Sequence, residues 1–207
     1  MSITFPLTLP TVPVFRATRW RPRTVVGVST SPFTLAMQTY SHPGRRWEVG
    51  VELPPMVRAR AAAWQAFFGK LDGAKGTFLM GDPAARALRG AGGGTPVING
   101  AHAARVSNIN VRGLAEIANV WREGDWIQLG SGATARLHMV LADISGAGSP
   151  TGEANVDIWP TTRAAYSDGA AIVVANTVGV FKLASDVDWD IDEAVRYGFG
   201  FDAVEAL

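Results

Sequence analysis

The sequence contains no cysteine, so the fold has neither a disulfide framework nor a thiolate metal site. No apolar run approaches the ~20 residues that span a bilayer, and we therefore expect no membrane insertion. The 19 Lys and Arg residues are balanced by 18 Asp and Glu residues, which gives a formal charge of +1. A chain with so little net charge has no field that attracts nucleic acid, and we expect no specific nucleic-acid partner.

Lysine is also scarce: the sequence has three lysines (Lys70, Lys75 and Lys182) and 16 arginines. GC-rich coding explains such a bias, and so does a role at protein interfaces, where Arg is enriched and Lys depleted. Glycine and proline are abundant, with 23 and 12 residues, and many turns indicate many short strands. The 47% of apolar residues in 207 positions suffices for one large domain or two small ones.

The clearest strand of the sequence runs from Trp47 to Leu53. Apolar side chains alternate there with polar or small ones, which is the period of a half-buried strand. Pro54 and Pro55 end this strand.

An amphipathic helix is predicted from 57 to 71, because its apolar positions change to a helical spacing among five alanines. The positions on its predicted buried face are Arg60, Trp64, Phe67 or Phe68, and Leu71. Gly73 lies where a left-handed residue would end the helix, and a strand follows from Thr77 to Met80.

The segment 81–100 includes the run Gly92, Gly93, Gly94 and predicts a linker with almost no regular structure. Beyond it, short strands recur at the spacing typical of a small sandwich or barrel. They are Trp126 to Leu129, Arg136 to Ala142, Ala154 to Trp159, Ala171 to Ala175, Val178 to Leu183 and Val187 to Ile191.

The sequence therefore predicts a mainly β protein. An N-terminal β-sandwich or barrel domain over 1–90, with one packed α-helix at 57–71, is followed by a second small β-sandwich or barrel domain over 91–207. The boundary stays open, because later strands could return to the first domain.

Four spaced acids, Asp186, Asp188, Asp190 and Asp192, resemble the start of a calcium loop. Such a loop needs glycine at its sixth position and glutamate at its twelfth, and these positions hold Ile191 and Tyr197. The solvated face of an edge strand fits the pattern better, with Val187, Trp189 and Ile191 on the other face.

No other catalytic or ligand-binding pattern is present. The glycine-rich segments 73–77 and 90–94 lack the spacing of a phosphate-binding loop and indicate turns. The three histidines, at 42, 102 and 138, are not in metal-ligand spacing, and nothing selects a combination such as His42 with Asp82 and Ser31. We expect a protein that is not an enzyme, with no catalytic, cofactor-binding or metal-binding residues and no cofactor.

Seven tryptophans are many for this length. Trp47, Trp64, Trp126 and Trp189 lie in apolar-patterned elements and are predicted to be core residues. Trp20 and Trp159 are candidates for interface anchors.

The order of several motifs resembles that of tail proteins encoded by long-tailed phages, prophages and gene transfer agents of proteobacteria. The first motifs are Phe15-Arg16, Trp20-Arg21-Pro22, Ser31-Pro32-Phe33-Thr34 with Gln38, and His42 to Glu48. They continue with Leu53 to Met56, Trp64 to Phe68, Gly76 to Leu79, and Gly81-Asp82-Pro83. The C-terminal half matches loosely, at Gly124 to Ile127, Ile158 to Pro160 with Arg163, and Gly179 to Phe181.

The resemblance implies a distal tail protein of a siphovirus-like phage: a homohexameric ring, built by the N-terminal domain, that joins the tail tube to the hub or baseplate. The implied partners are other copies of the chain, the tail tube protein, the hub or baseplate protein and the tape-measure protein. The implied location is the virion tail tip, after assembly in the host cytoplasm.

Three alternatives stay open at this point. A carbohydrate-binding or receptor-binding β module of a tail tip would use exposed tryptophans, and a cell-wall hydrolase would need converging titratable groups in a cleft. A tail terminator or another ring component would share the ring but not its position.

Overall fold

The computed structural model describes residues 3–12 and 14–207, and within these residues it has one α-helix and thirteen strands. In chain order the elements are β1 (Leu7–Thr8), β2 (Ala17–Thr30), β3 (Met37–Glu52), α1 (Arg58–Leu71), β4 (Phe78–Met80), β5 (Gly94–Ile98), β6 (Asn108–Leu114), β7 (Trp126–Leu129), β8 (Arg136–Val140), β9 (Ala154–Trp159), β10 (Ile172–Val173), β11 (Gly179–Leu183), β12 (Trp189–Ile191) and β13 (Tyr197–Glu205).

The strands form two sheets. The first has the order β1-β4-β11-β13-β3-β2, with β12 also paired to β13, and the second has the order β10-β7-β8-β9-β6-β5. The end strands of the second sheet approach each other through a bridge between Val97 and Ala171, so this sheet is nearly closed. The predicted class, mainly β with sandwich-like or barrel-like sheets and one packed helix, is confirmed.

The first sheet is built from both ends of the chain. Strands β11, β12 and β13 come after the whole second sheet in the sequence, and they pair with β4 and β3 of the first. The predicted boundary between 1–90 and 91–207 therefore divides the first sheet. Later strands return to this sheet, which is the possibility that the sequence left open.

Helix α1 packs on the inner face of the first sheet. Its buried residues are Ala61, Trp64, Phe67, Phe68 and Leu71, and Phe67 and Phe68 contact Phe78 and Phe201 of the sheet at centroid distances of 5.6 and 5.4 Å. Arg60, which was predicted on this face, is exposed, and the small Ala61 takes its place. After the helix, Asp72 and Gly73 both have left-handed backbones, with φ of 53° and 67°.

The predicted linker 81–100 is not free of regular structure. Gly94–Ile98 forms β5, which pairs with β6 and belongs to the second sheet. The glycine run indicated a linker, but packing within the sheet requires Gly94. Gly94 has φ of 80° and lies against the carbonyl oxygen of Gly113, where a Cβ would come within 2.1 Å. That close backbone approach requires glycine inside a strand.

The two sheets share part of one core. Trp126 and Leu137 of the second sheet are buried among the side chains of the first, while a separate apolar cluster fills the second sheet. Within the described residues, no helix combines the length and apolarity needed to cross a membrane.

Candidate functional site

The most unusual feature of the fold is a two-stranded arm, residues 25–44. Strands β2 and β3 stay paired from Ala17 opposite Glu52 to Thr30 opposite Met37, with a bulge after Thr24. The neighbouring strand β13 pairs with β3 only over 48–52, so among the described residues the arm has no third strand. Extended at about 3.3 Å per residue, strand β2 runs about 17 Å from Val25 to Thr30, and the turn with Phe33 follows.

The arm is apolar, uncharged and exposed. None of the residues 25–44 is buried, and none is Asp, Glu, Lys or Arg. Its exposed large hydrophobic side chains are Val25, Val26, Val28, Phe33, Leu35, Met37 and Tyr40. Isolated hairpins are marginal in water, and bare strand edges without charges favour pairing with another chain. The arm is therefore an exposed apolar surface with unpaired strand edges.

A closed turn forms the arm tip. Ser31 donates its N–H to the carbonyl of Ala36 at 2.9 Å, and Leu35 donates to the carbonyl of Ser31 at 2.9 Å. Leu35 has a left-handed backbone, with φ of 57°. The turn leaves Phe33 94% and Leu35 76% exposed, so the tip presents an aromatic side chain to solvent.

Tryptophans fix the base of the arm to both sheets. Trp47 of β3 packs on Trp126 and Trp159 at centroid distances of 4.6 and 4.3 Å, and its Nε1 donates to the carbonyl of Leu137 at 3.1 Å. Trp20 packs on the same cluster, 5.3 Å from Trp126. Trp20 and Trp159, the candidate interface anchors, are thus half-buried and hold the arm base in place.

A groove of about 440 Å³ lies at the opposite edge of the first sheet. Its apolar walls come from Leu9 and Phe15 before β2, from Met80 and Pro83 at the end of β4, and from Val178 before β11. Asp82 also lines it and accepts the N–H of Ala84 at 2.9 Å. The groove is thus largely apolar, with room for one or two large side chains.

Of the four acids at 186–192, Asp190 lies on the exposed strand β12, and Asp186 and Asp188 precede this strand. Among the described residues β12 pairs only with β13, and Asp192 accepts the N–H of Arg196 at 2.7 Å in the turn that follows. Trp189 was predicted to be a core residue; it is 43% exposed and packs on Phe199. No group of three or more His, Cys, Asp or Glu in the described part of the chain could hold a metal ion.

The structure does not assemble the catalytic combination considered from the sequence. Ser31 and His42 lie on the arm, whereas Asp82 follows β4 at the other edge of the sheet. The glycine-rich turns use their amides within the fold: Gly76 donates to Leu71, and Gly92 donates to Val120. These amides are therefore not available to a phosphate.

A buried ion pair joins the two sheets near the arm base. Arg163, which follows β9, donates to Glu205 at the end of β13 through Nε at 3.1 Å and through a second nitrogen at 2.5 Å. The same carboxylate accepts the backbone N–H of Trp47 at 3.2 Å. Glu205 was not predicted from the sequence, because no local pattern identifies a carboxylate whose partner, Arg163, lies 42 residues away.

His138 of β8 is buried beside this pair. Its Nδ1 donates to the carbonyl of Pro160 at 2.7 Å, and its Nε2 has no hydrogen-bond partner among the described residues. Burial lowers the pKa of His138 from 6.5 to about 4, and the nearby Arg163 charge acts in the same direction.

We expect stability to fall as the pH decreases from about 6.5 to about 4. The unfolded chain protonates His138 below pH 6.5 and the folded chain does not, so the unfolded state binds more protons in this window. At 1.36 kcal/mol per pKa unit, the loss amounts to about 3 kcal/mol. Urea unfolding across this range should show that His138→Asn reduces the pH dependence. His42→Asn, on the exposed arm, is the control, and equal pH slopes in the two variants would contradict the assignment.

Sequence reasoning missed the arm, although one signal for it was present. The 21 residues from Thr24 to Gly44 contain no Asp, Glu, Lys or Arg, while Arg23 and Arg45 flank them directly. No protein-family model matches the chain, and no curated protein matches it.

Proposed function

We propose that this chain is a structural virion component, a distal tail protein whose copies form a ring between the tail tube and the hub or baseplate. The arm is the observation that carries the proposal. Its 20 residues add nothing to either core and offer apolar side chains and strand edges to another chain. The N-terminal motifs that resemble phage tail proteins include the arm tip, Ser31 to Thr34.

The position of the arm supports assembly into rings. A ring of identical subunits needs a head-to-tail interface, in which two different surfaces of the chain meet. The arm and the groove are two different surfaces, and they lie at opposite edges of one sheet. Near-zero net charge leaves apolar and Arg-mediated contacts to hold the copies together.

The tryptophans favour the ring over the carbohydrate-binding alternative. A sugar platform needs several exposed tryptophans on one face, and six of the seven here are buried or half-buried. Strand edges and an apolar arm are surfaces for protein partners.

Reconstruction of the virion tail tests the proposal. We expect several copies of the chain in a closed ring with an open lumen, between the tube and the hub, with the N-terminal half making most subunit contacts. Each interface should bury more than ~1,000 Å². A single copy, a trimeric fibre or a position on the capsid would show that the proposal is wrong.

Removing the arm should separate assembly from folding. When residues 25–44 are replaced by an Asn-Gly turn between the paired residues Thr24 and Arg45, we expect an unchanged thermal unfolding midpoint, because no buried residue is lost. The variant should not enter tails in an assembly extract. Normal incorporation of the armless protein would contradict the role of the arm.

A further inference from the structure

We infer that the arm tip of one copy inserts Phe33 into the groove of a neighbouring copy, so that copies join head to tail. The inference rests on the proposed function and deepens it, because it names the contact between neighbouring subunits and the residues on both sides.

The placement of the two surfaces on the sheet is the first argument. The arm extends β2 and β3 at one edge, and the groove is bounded by β4 and the segment before β11 near the other edge. Leu9 and Phe15, from the segment before β2, complete the groove. No residue of the arm lines the groove of its own chain, and Phe33 is 94% exposed, so the tip does not occupy that groove. An arm tip in the groove therefore comes from another copy.

The chemistry of the two surfaces is the second argument. Phe33 is almost fully exposed, and an aromatic side chain offers on the order of 150–250 Å² for burial. Aromatic anchors that fill desolvated pockets carry most of the binding energy of an interface. The groove has apolar walls from Leu9, Phe15 and Met80, and its 440 Å³ accommodates Phe33 together with Leu35. Because the arm carries no Asp, Glu, Lys or Arg, its insertion adds no second charge beside Asp82 and Arg86, the charged residues of the groove.

The occupant follows from symmetry. A protruding apolar side chain and a pocket elsewhere on the same molecule produce a heterologous contact, which gives a ring when the rotation closes and a filament when it does not. The arm tip and the groove are both present on this chain, so a second copy is sufficient to form the contact. A tube or hub protein in the groove would be a different result, and the experiment below separates the two.

Single thiols provide the test, because the chain has no cysteine of its own. Ala36→Cys places a thiol beside the tip, and Arg86→Cys places one at the groove. An equimolar mixture of the two full-length proteins is oxidised at high concentration, and the disulfide-linked dimers are identified by mass spectrometry. We expect tip-to-groove dimers in excess of tip-to-tip and groove-to-groove dimers by about tenfold, as a contact worth about 1.4 kcal/mol requires.

Two further variants control the result. Adding Phe33→Ser to the Ala36→Cys protein should lower the yield of the mixed dimer about tenfold, the loss expected for an anchor residue. Adding Ile191→Ser instead removes an exposed apolar side chain from β12, outside the contact, and should leave the yield unchanged. Both replaced side chains are exposed, so both proteins should fold. Statistical dimer yields, or yields that do not respond to Phe33→Ser, would overturn the inference.

Failure of this contact and failure of the proposed function are distinguishable. If the tip-to-groove disulfide forms but the virion shows the chain on the capsid, the contact is right and the tail function is wrong. If the chain forms a ring at the tail end and the groove holds a different protein, the tail function is right and the contact is wrong.

Discussion

Replacing Phe67 by alanine should lower the free energy of unfolding by about 3–5 kcal/mol, the usual cost of a cavity left by a buried aromatic residue. Phe67 is buried on α1 and packs edge-on against Phe78 of β4 and Trp64 of the helix, at centroid distances of 5.6 and 5.8 Å. The helix covers the part of the first sheet that carries Phe78 and Phe201, while Trp126 and Leu137 of the second sheet join the same core. Urea unfolding monitored by tryptophan fluorescence measures the loss.

Lys70→Ala is the matched control for Phe67→Ala. Lys70 lies on the exposed side of the same helix, so its replacement should change the free energy of unfolding by less than about 0.5 kcal/mol. A cost below about 1 kcal/mol for Phe67→Ala would show that the helix does not bury this face as described.

The helix and the central strand could be predicted because burial leaves a period in the sequence. Trp47 to Leu53 alternate with a period of two, and Trp64, Phe67 and Leu71 repeat at helical spacing. The Arg60 error shows the limit of the method. Ala61 and Arg60 both lie about one turn from Trp64, and only the contact with the sheet decides that the smaller side chain is buried.

Strand β13 was missed because its glycines resemble turn signals. Tyr197, Phe199 and Phe201 alternate with Gly198 and Gly200, and the three aromatics are buried while the glycines lie on the opposite face. A Cβ added at Gly198 would meet nothing within 4 Å, so local sterics do not require glycine there. A residue type that indicates a turn elsewhere is thus compatible with a central strand.

The arm was missed for a different reason. Sequence periodicity reports a buried face, and the arm has none in the single chain, so its strands carry no alternating signal. What the sequence does show is a run without Asp, Glu, Lys or Arg that contains apolar residues. The candidate site lies where periodicity is uninformative, because the arm has no buried face in the single chain.

Replacing Glu205 by alanine should cost about 3–5 kcal/mol, because it leaves the guanidinium of Arg163 without its partner at the junction of the two sheets. The side chains of Arg163 and Glu205 are 12% and 0% exposed, and the carboxylate also accepts the N–H of Trp47 at the arm base. The measurement is urea unfolding, followed by circular dichroism and by tryptophan fluorescence. Wild-type protein should give coincident transitions, and the variant should unfold at lower urea with the two signals separated, because the link between the sheets is weakened.

A double-mutant cycle distinguishes loss of the pair from loss of packing. Arg163→Met removes the charge and keeps much of the apolar stem, so the double variant Arg163→Met/Glu205→Ala should be more stable than the sum of the single costs predicts, by at least about 1 kcal/mol. Lys75→Ala breaks the exposed pair with Asp72, 3.1 Å long, and should cost less than about 1 kcal/mol. Additive single costs would mean that Arg163 and Glu205 act independently. The junction, and with it the orientation of the arm, would then depend on the tryptophan cluster around Trp47 alone.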